Sequence, residues 1–354
     1  MPTHIVHLSI LNPVRHTRMY GKWARTQAAQ GHRVEVMGQG RGGVSIEEGV
    51  TLRPQGTFGR MGARRWTANG WLLRRAAPLK ADVYVLHTPE LLLRAGWLKR
   101  RTGAQLHYDV HEDYALNLRH GAHWPALLRR PLAWLFRRWE RRQVRRHVDR
   151  VTYAERIYAN VLRVPDGQWA VRENKATRPE GAATLTPPAE PYLLYCGTLA
   201  RAWGLFEAVA LWQRWYAQQP IGLVIAGHTQ QPALLRELQA AIQATGLADH
   251  CRLIGGEEYV PHADILALID RCHAGLALYH DLPQIRGKVP TRFFEFMQAK
   301  RPLIFSPQPA WLDLNAQTPF GLPFHPGDDI TLLQQQVERW VPPDLPASAY
   351  RWGS

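Results

Sequence analysis

Cysteine is scarce in this 354-residue chain: Cys196, Cys251 and Cys272 stand far apart, with no Cys-x-x-Cys pair and no histidine at zinc-ligand spacing. That excludes a disulfide framework or a structural zinc site as the organising device, and the three thiols read as reduced core residues. No apolar run reaches the roughly 18 residues of a membrane helix. The start leads into His4-Ile-Val-His-Leu-Ser-Ile10, a strand-like run without the basic region and long apolar stretch of a signal peptide, so the expected location is the cytoplasm. Low-complexity tracts are missing as well. With 45% hydrophobic and 21% charged residues, the composition is that of a folded chain, and its length suits two domains of roughly 150 residues each.

Acidic residues are the other shortage, and it is local. Residues 1–180 hold 32 Lys+Arg against 14 Asp+Glu, net +18, whereas 181–354 hold 12 against 15, net −3, which together make the +15 of the whole. A basic half of this kind suits an anionic surface or polyanion as partner; a basic surface kept for solubility is the plainer alternative.

What is present is alternation. Ile5–Ile10, a helix near Arg18–Gln30 and Gly31–Met37 form a strand, helix, strand series, the βαβ unit of a parallel sheet. Ala81–His87, Ala104–Asp109 and Val148–Tyr153 read as further strands. Between Val164 and Pro191 the periodicity stops and Pro165, Gly167, Pro179, Gly181, Pro187, Pro188 and Pro191 crowd together, as in a linker. A second series follows: strands at Tyr192–Cys196, Ile221–Ala226, Arg252–Ile254, Ala274–Leu278 and Pro302–Phe305, with helices at Leu205–Gln218, Pro232–Thr245, His262–Arg271 and Thr291–Ala299. The expected fold is α/β, two Rossmann-like domains facing across a cleft: 1–164, a linker at 165–190, 191–340, and a tail at 341–354. Ligands of such domains bind at the carboxyl ends of the strands.

Two places carry chemistry. Tyr195-Cys-Gly-Thr-Leu-Ala-Arg-Ala-Trp-Gly204 follows a strand and leads into a helix, where Gly197 and Gly204 permit close turns and free N–H groups favour phosphate. Further on, Pro290 opens a helix with Arg292 in its first turn and Glu295 three residues later. A cation at a helix N-terminus is electrostatically poor for the helix, so Arg292 points to an anionic partner such as diphosphate, with Glu295 free to accept from ribose hydroxyls. The alternative is an exposed i,i+3 ion pair.

In the first half, Leu106-His-Tyr-Asp-Val-His-Glu-Asp-Tyr114 ends a strand. A histidine flanked by carboxylates keeps one tautomer, can bond a sugar hydroxyl or phosphate, and responds to proton transfer near neutrality. His111 is the candidate for the reaction centre, with Asp109, Glu112 and Asp113 as orienters; capping of the next helix is the structural alternative. On Pro131–Val148, helical spacing puts Leu132, Leu135, Phe136 and Trp139 on one side and Arg137, Arg138, Arg141, Arg142, Arg145 and Arg146 over the other. This basic amphipathic segment suits an anionic membrane surface.

Taken together, Gly197–Gly204, Leu223-Val-Ile-Ala-Gly227, Arg252-Leu-Ile-Gly255 and Pro290–Ala299 resemble the C-terminal half of retaining GT-B glycosyltransferases of the large family-4 type, across nearly the whole second half of the chain. Asp109-Val-His111-Glu112 resembles the Asp-x-His-Glu segment of a subset of them. The resemblance implies Gly197 and Arg292 on the diphosphate of a nucleotide-sugar donor, with Thr198 in the same turn, and Glu295 on its ribose. It also implies retention of configuration with no required metal or other cofactor. Thr198 stands where the family usually has Arg, Trp203 where it has Lys, and Gly287, between Arg286 and Lys288, where many members have a further Glu; Arg201 is positioned to replace one lost charge. The expected activity is transfer of a sugar to a lipid-linked or saccharide acceptor at the inner membrane face. An epimerase or hydrolase acting on the sugar nucleotide, and a noncatalytic basic membrane- or nucleic-acid-binding protein, are the alternatives. Nucleic acid is not the expected partner, since aromatic platforms and recognised motifs are lacking.

Overall fold

Residues 2–57, 64–121, 124–177, 183–283 and 285–353 are described by a computed structural model, in which the chain divides into one unit up to Asn174 and a second from Lys175. Pro179 and Gly181 of the expected linker lie outside the described residues.

In the first unit, β1 (His4–Pro13) runs into a π-helical stretch (Thr17–Ala24) continued by α1 (Arg25–Ala29), then β2 (Arg33–Gln39), β3 (Ser45–Glu47), β4 (Val50–Pro54), α2 (Arg64–Ala76) and β5 (Val83–Leu86). There follow α3 (Ala95–Thr102), β6 (Gln105–Val110), α4 (Tyr114–His120), α5 (Ala126–His147), β7 (Arg150–Tyr153) and β8 (Trp169–Val171). The sheet order is β3-β4-β2-β1-β5-β6-β7-β8, parallel except for β3 against β4. The chain first winds from β1 toward β2 and then restarts on the other side at β5, so the topological switch point lies between β1 and β5.

The second unit contains β9 (Tyr192–Thr198), α6 (Leu205–Tyr216), β10 (Gly222–His228), α7 (Pro232–Ala244), β11 (Cys251–Gly256), α8 (His262–Arg271), β12 (Ala274–Ala277) and α9 (Thr291–Ala299). β13 (Leu303–Phe305), α10 (Pro309–Gln317), β14 (Gly321–Pro323), α11 (Ile330–Glu338) and α12 (Ala347–Tyr350) complete it. Its sheet is parallel, ordered β11-β10-β9-β12-β13-β14, with the switch point between β9 and β12. Strand periodicity covers both faces: Leu193 and Tyr195 pack into one core, Tyr192, Leu194 and Cys196 into the other. The three cysteines are free, Cys196 and Cys272 buried and Cys251 half-buried.

Three expectations change. The Pro-rich stretch is not all linker, because Trp169–Val171 completes its hydrogen bonding on β7 as strand β8. The tail is also tied down: Ala176 N–H donates to Tyr350 O at 2.8 Å and Trp352 N–H to Ala176 O at 2.9 Å. The basic helix begins at Ala126, with Pro131 inside it, and is rotated relative to the expected apolar edge. Its buried positions are Ala133, Glu140 and Val144. Glu140 accepts from Tyr108 Oη at 3.0 Å and from Arg137 at 3.1 Å, Arg137 also pairs with Asp113, and Arg141 donates to Val161 O at 2.9 Å. These paired polar groups occupy the protein-facing side and leave Leu135 53% and Trp134 62% exposed.

Candidate active site

At the first switch point, three sheet positions deliver polar side chains to one buried spot. Asp109 near the end of β6 is 1% exposed. Arg18, carried by the π-helical stretch, donates to both its oxygens, Nη2 to Oδ1 at 2.7 Å and Nε to Oδ2 at 2.8 Å, and gives Nη1 to Arg172 O and Asn174 Oδ1. His111 Nε2 lies 2.9 Å and His87 Nδ1 3.2 Å from Oδ2, and the two nitrogens are 2.9 Å apart. Burial by itself would push the Asp109 carboxyl up, but the Arg18 charge, with His111 and His87 beside it, holds it well below the usual carboxylate range. His16 stacks on His111, centroids 5.5 Å apart at 14°. Burial, reinforced by the neighbouring His111, His87 and Arg18, pulls the His16 ring down to about 3.

His87, Asp109 and His111 are also close enough to be considered as a cation site. Their contacts of 2.9–3.2 Å are hydrogen-bond distances, shorter than the roughly 3.3 Å edge of a tetrahedral site with bonds of about 2.0 Å. The Arg18 guanidinium already supplies the countercharge. The trio fits a hydrogen-bonded cluster better than a metal.

In the second unit, Gly197 near the end of β9 has φ +106°, and a Cβ there would lie 2.0 Å from Arg292 Nη2. Gly204, at φ +75°, turns the chain into α6 so tightly that a Cβ would meet Leu278 O at 1.9 Å. α9 starts after Pro290 with no acidic residue in its first turn, and is anchored by buried Phe293, Phe294, Phe296 and Met297. The Arg292 guanidinium carbon sits 5.4 Å from the Tyr279 ring centre and 5.8 Å from that of Tyr195. Its Nη1 is buried and has no hydrogen-bond partner among the described residues. Glu295, one turn on, is 6% exposed and meets His262 Nε2, at the start of α8, at 2.7 Å. An arginine donor under a glycine turn at a helix N-terminus, with a buried carboxylate beside it, can take up an anion joined to a polyhydroxyl group.

Solved structures share this architecture. A sucrose-phosphate synthase from Thermosynechococcus elongatus superposes with TM-score 0.68 at 14% identity, over 98% of this chain and 91% of that one. A UDP-forming alpha,alpha-trehalose-phosphate synthase from Burkholderia xenovorans gives 0.65 at 11%, over 99% and 93%. Anabaena HepE in complex with UDP gives 0.61 at 13%, over 95% and 90%. At these identities the likeness speaks for the fold. No curated protein sequence matches the chain. Residues 18–174 match Glycosyltransferase Family 4. The chain shares the GT-B fold of these glycosyltransferases.

The matched segment runs from Arg18 to Asn174, the two residues bonded to each other beside Asp109. The motif resemblance lay mostly in the other half. Of the residues singled out by sequence, Asp109 and His111 come together in the first unit, and Gly197, Arg292 and Glu295 in the second. Glu112 does not join His111: it is exposed and accepts from Asn117 Nδ2 at 2.6 Å. Asp113 caps α4 through Leu116 N–H at 2.8 Å. Thr198 is exposed at the end of β9. Arg201 lies with Glu237 and over the Phe206 ring at 4.4 Å, so its charge is engaged on the surface. Trp203 packs on Tyr279 with centroids 4.9 Å apart. Sequence reading missed Arg18, His7, His16, His87 and His262 as site residues. His87 was legible as a polar residue ending an apolar strand, whereas Arg18 offered only its place in a helix.

Proposed function

We propose that this chain is a glycosyltransferase that moves a glycosyl unit, with retention, from a UDP-sugar held by the second unit to a lipid-linked or saccharide acceptor contacted by the first. The observation that carries this reading is the buried, unpartnered Arg292 Nη1 beside the Gly197 turn: a desolvated cationic donor calls for an anion, and the leaving diphosphate supplies one as charge develops on it. Glu295 accepts from the ribose hydroxyls, and His111 contacts the acceptor. UDP as the nucleotide is favoured by the neighbours, one UDP-forming and another solved with UDP. A thermal-shift panel of UDP, GDP, ADP, CMP and dTDP tests it. UDP at about a hundredfold over its Kd is expected to raise the melting temperature by about 5–10 °C, and Glu295→Ala to remove most of that rise. Indifference to every nucleotide would sink the donor assignment.

The acceptor side is read from α5. Leu127 is 91% exposed, Trp134 62% and Leu135 53%, and Arg130 and Arg138 are exposed beside them. Leu127, Pro131, Trp134 and Arg138 recur at helical spacing along one outer face. No helix among the described residues is long and apolar enough to cross a membrane, and an apolar face bordered by arginines suits peripheral attachment to the anionic inner leaflet. Co-sedimentation with phosphatidylglycerol vesicles is expected, with weaker binding to phosphatidylcholine. Leu127→Ser, Trp134→Ser and Leu135→Ser together should weaken it about a hundredfold. Equal binding by the triple variant would show that this face is not the attachment surface.

A further inference from the structure

Behind His111 runs a file of imidazoles that acceptor contact alone does not require. His111 Nε2 is 2.9 Å from His87 Nδ1, His87 Nε2 is 2.8 Å from His7 Nδ1, and His7 Nε2 is 2.7 Å from Gln27 Oε1. His7, in the middle of β1, and His87, following β5, are fully buried. Burial holds the His7 ring down to about 3 and that of His87 to about 4, so each is neutral at pH 7 and carries one N–H.

Proton counting leaves little freedom. With the Gln27 amide oxygen toward His7, as placed, His7 Nε2–H donates to Gln27 and His87 Nε2–H donates to His7 Nδ1. His87 Nδ1 is then a lone pair, and only a proton on His111 Nε2 can bridge to Asp109 and His87. With the amide reversed, His7 Nδ1–H donates to His87 Nε2, and His87 Nδ1–H points at Asp109 Oδ2. A lone pair on His111 Nε2 would then face the carboxylate oxygen at 2.9 Å, so the proton must again sit on Nε2. In both arrangements the free lone pair is on His111 Nδ1, which has no hydrogen-bond partner among the described residues.

We propose that Asp109 is the positioning residue that locks His111 in its Nε2–H tautomer, whichever way the His87–His7–Gln27 file is oriented, and so makes Nδ1 a hydrogen-bond acceptor for a hydroxyl of the sugar acceptor, not a donor to phosphate. The stacked His16 ring restrains the same imidazole from its face. This inference rests on the reading of His111 as the acceptor-contacting residue, and the test separates the two.

Long-range ¹⁵N–¹H correlation spectra of ¹⁵N-histidine-labelled protein at neutral to mildly alkaline pH report each tautomer directly, with His111→Gln identifying the signal. The Nε2–H pattern is expected for His111, and the Nδ1–H pattern overturns the proposal. Asp109→Ala combined with Arg18→Met, which removes the carboxylate together with the guanidinium it holds, should convert the His111 signal to a mixture of tautomers. If that variant does not fold, Gln27→Leu, which frees the direction of the file, should leave the His111 Nε2–H pattern in place, and a mixture of tautomers there overturns the proposal. An unchanged tautomer in the folded Asp109→Ala, Arg18→Met variant also overturns the proposal. Sugar transfer that survives His111→Ala counts against the reaction-centre reading alone, since the tautomer measurement needs no turnover.

Discussion

Asp109→Ala is expected to cost the first unit about 3–5 kcal/mol, enough to lower its calorimetric transition by about 10 °C or more. The carboxylate is 1% exposed and takes two hydrogen bonds from Arg18, which is itself 3% exposed. Removing it strands a buried guanidinium and leaves His87 and His111 without their shared acceptor. The mechanism makes a second, sharper demand. Most of the loss comes from a buried guanidinium deprived of its carboxylate, so Arg18→Met added to Asp109→Ala should recover part of it, although more contacts have been deleted. Scanning calorimetry of the wild type, the single and the double variant decides. A double variant less stable than Asp109→Ala alone would mean that Arg18 contributes packing and its bonds to Arg172 and Asn174 more than a countercharge. The transition of the second unit should stay where it is.

Gly197→Ala is expected to abolish nucleotide binding, with UDP affinity falling by about a hundredfold or more, while the second unit stays folded. The added Cβ would stand 2.0 Å from Arg292 Nη2, which no real contact allows, so the guanidinium must leave the spot where its Nη1 lacks a partner. The left-handed backbone adds a strain of about 1–2 kcal/mol. That strain alone would lower the melting temperature by a few degrees and leave UDP binding intact. Isothermal titration with UDP, alongside a melting curve, separates the two effects. Wild-type affinity in a slightly less stable protein would place the diphosphate elsewhere.

Much of this was legible beforehand because the signals are local. Strand and helix periods alternate through both halves, α8 and α9 begin and end at the expected residues, and the turn from β9 into α6 is marked by glycines that only a close approach explains. Arg292 stood out because a cation in the first turn of a helix contradicts its dipole, and such contradictions point to ligands. β8 escaped, since its three residues become a strand only by pairing with β7, across a proline-rich approach. The facing of α5 escaped for a related reason. Amphipathic analysis assigns arginines to solvent, but Arg137 and Arg141 turn inward to Glu140, Asp113 and Val161 O.

The sequence by itself therefore determined two α/β units, the glycine turn, and the placement of Arg292 and Glu295 one turn apart on one helix, because each depends on residues within a turn or two of one another. Only the tertiary structure decided which histidines stand behind His111. His7, His87 and Asp109 lie on or directly after three different strands that are neighbours only through the parallel order β1, β5, β6, and Arg18 reaches Asp109 from 91 residues away. It likewise separated Glu112 and Arg201 from the clusters they were expected to join. Hydrogen bonding between distant residues has no period in the sequence, and it is burial, set by the whole fold, that makes those bonds decisive.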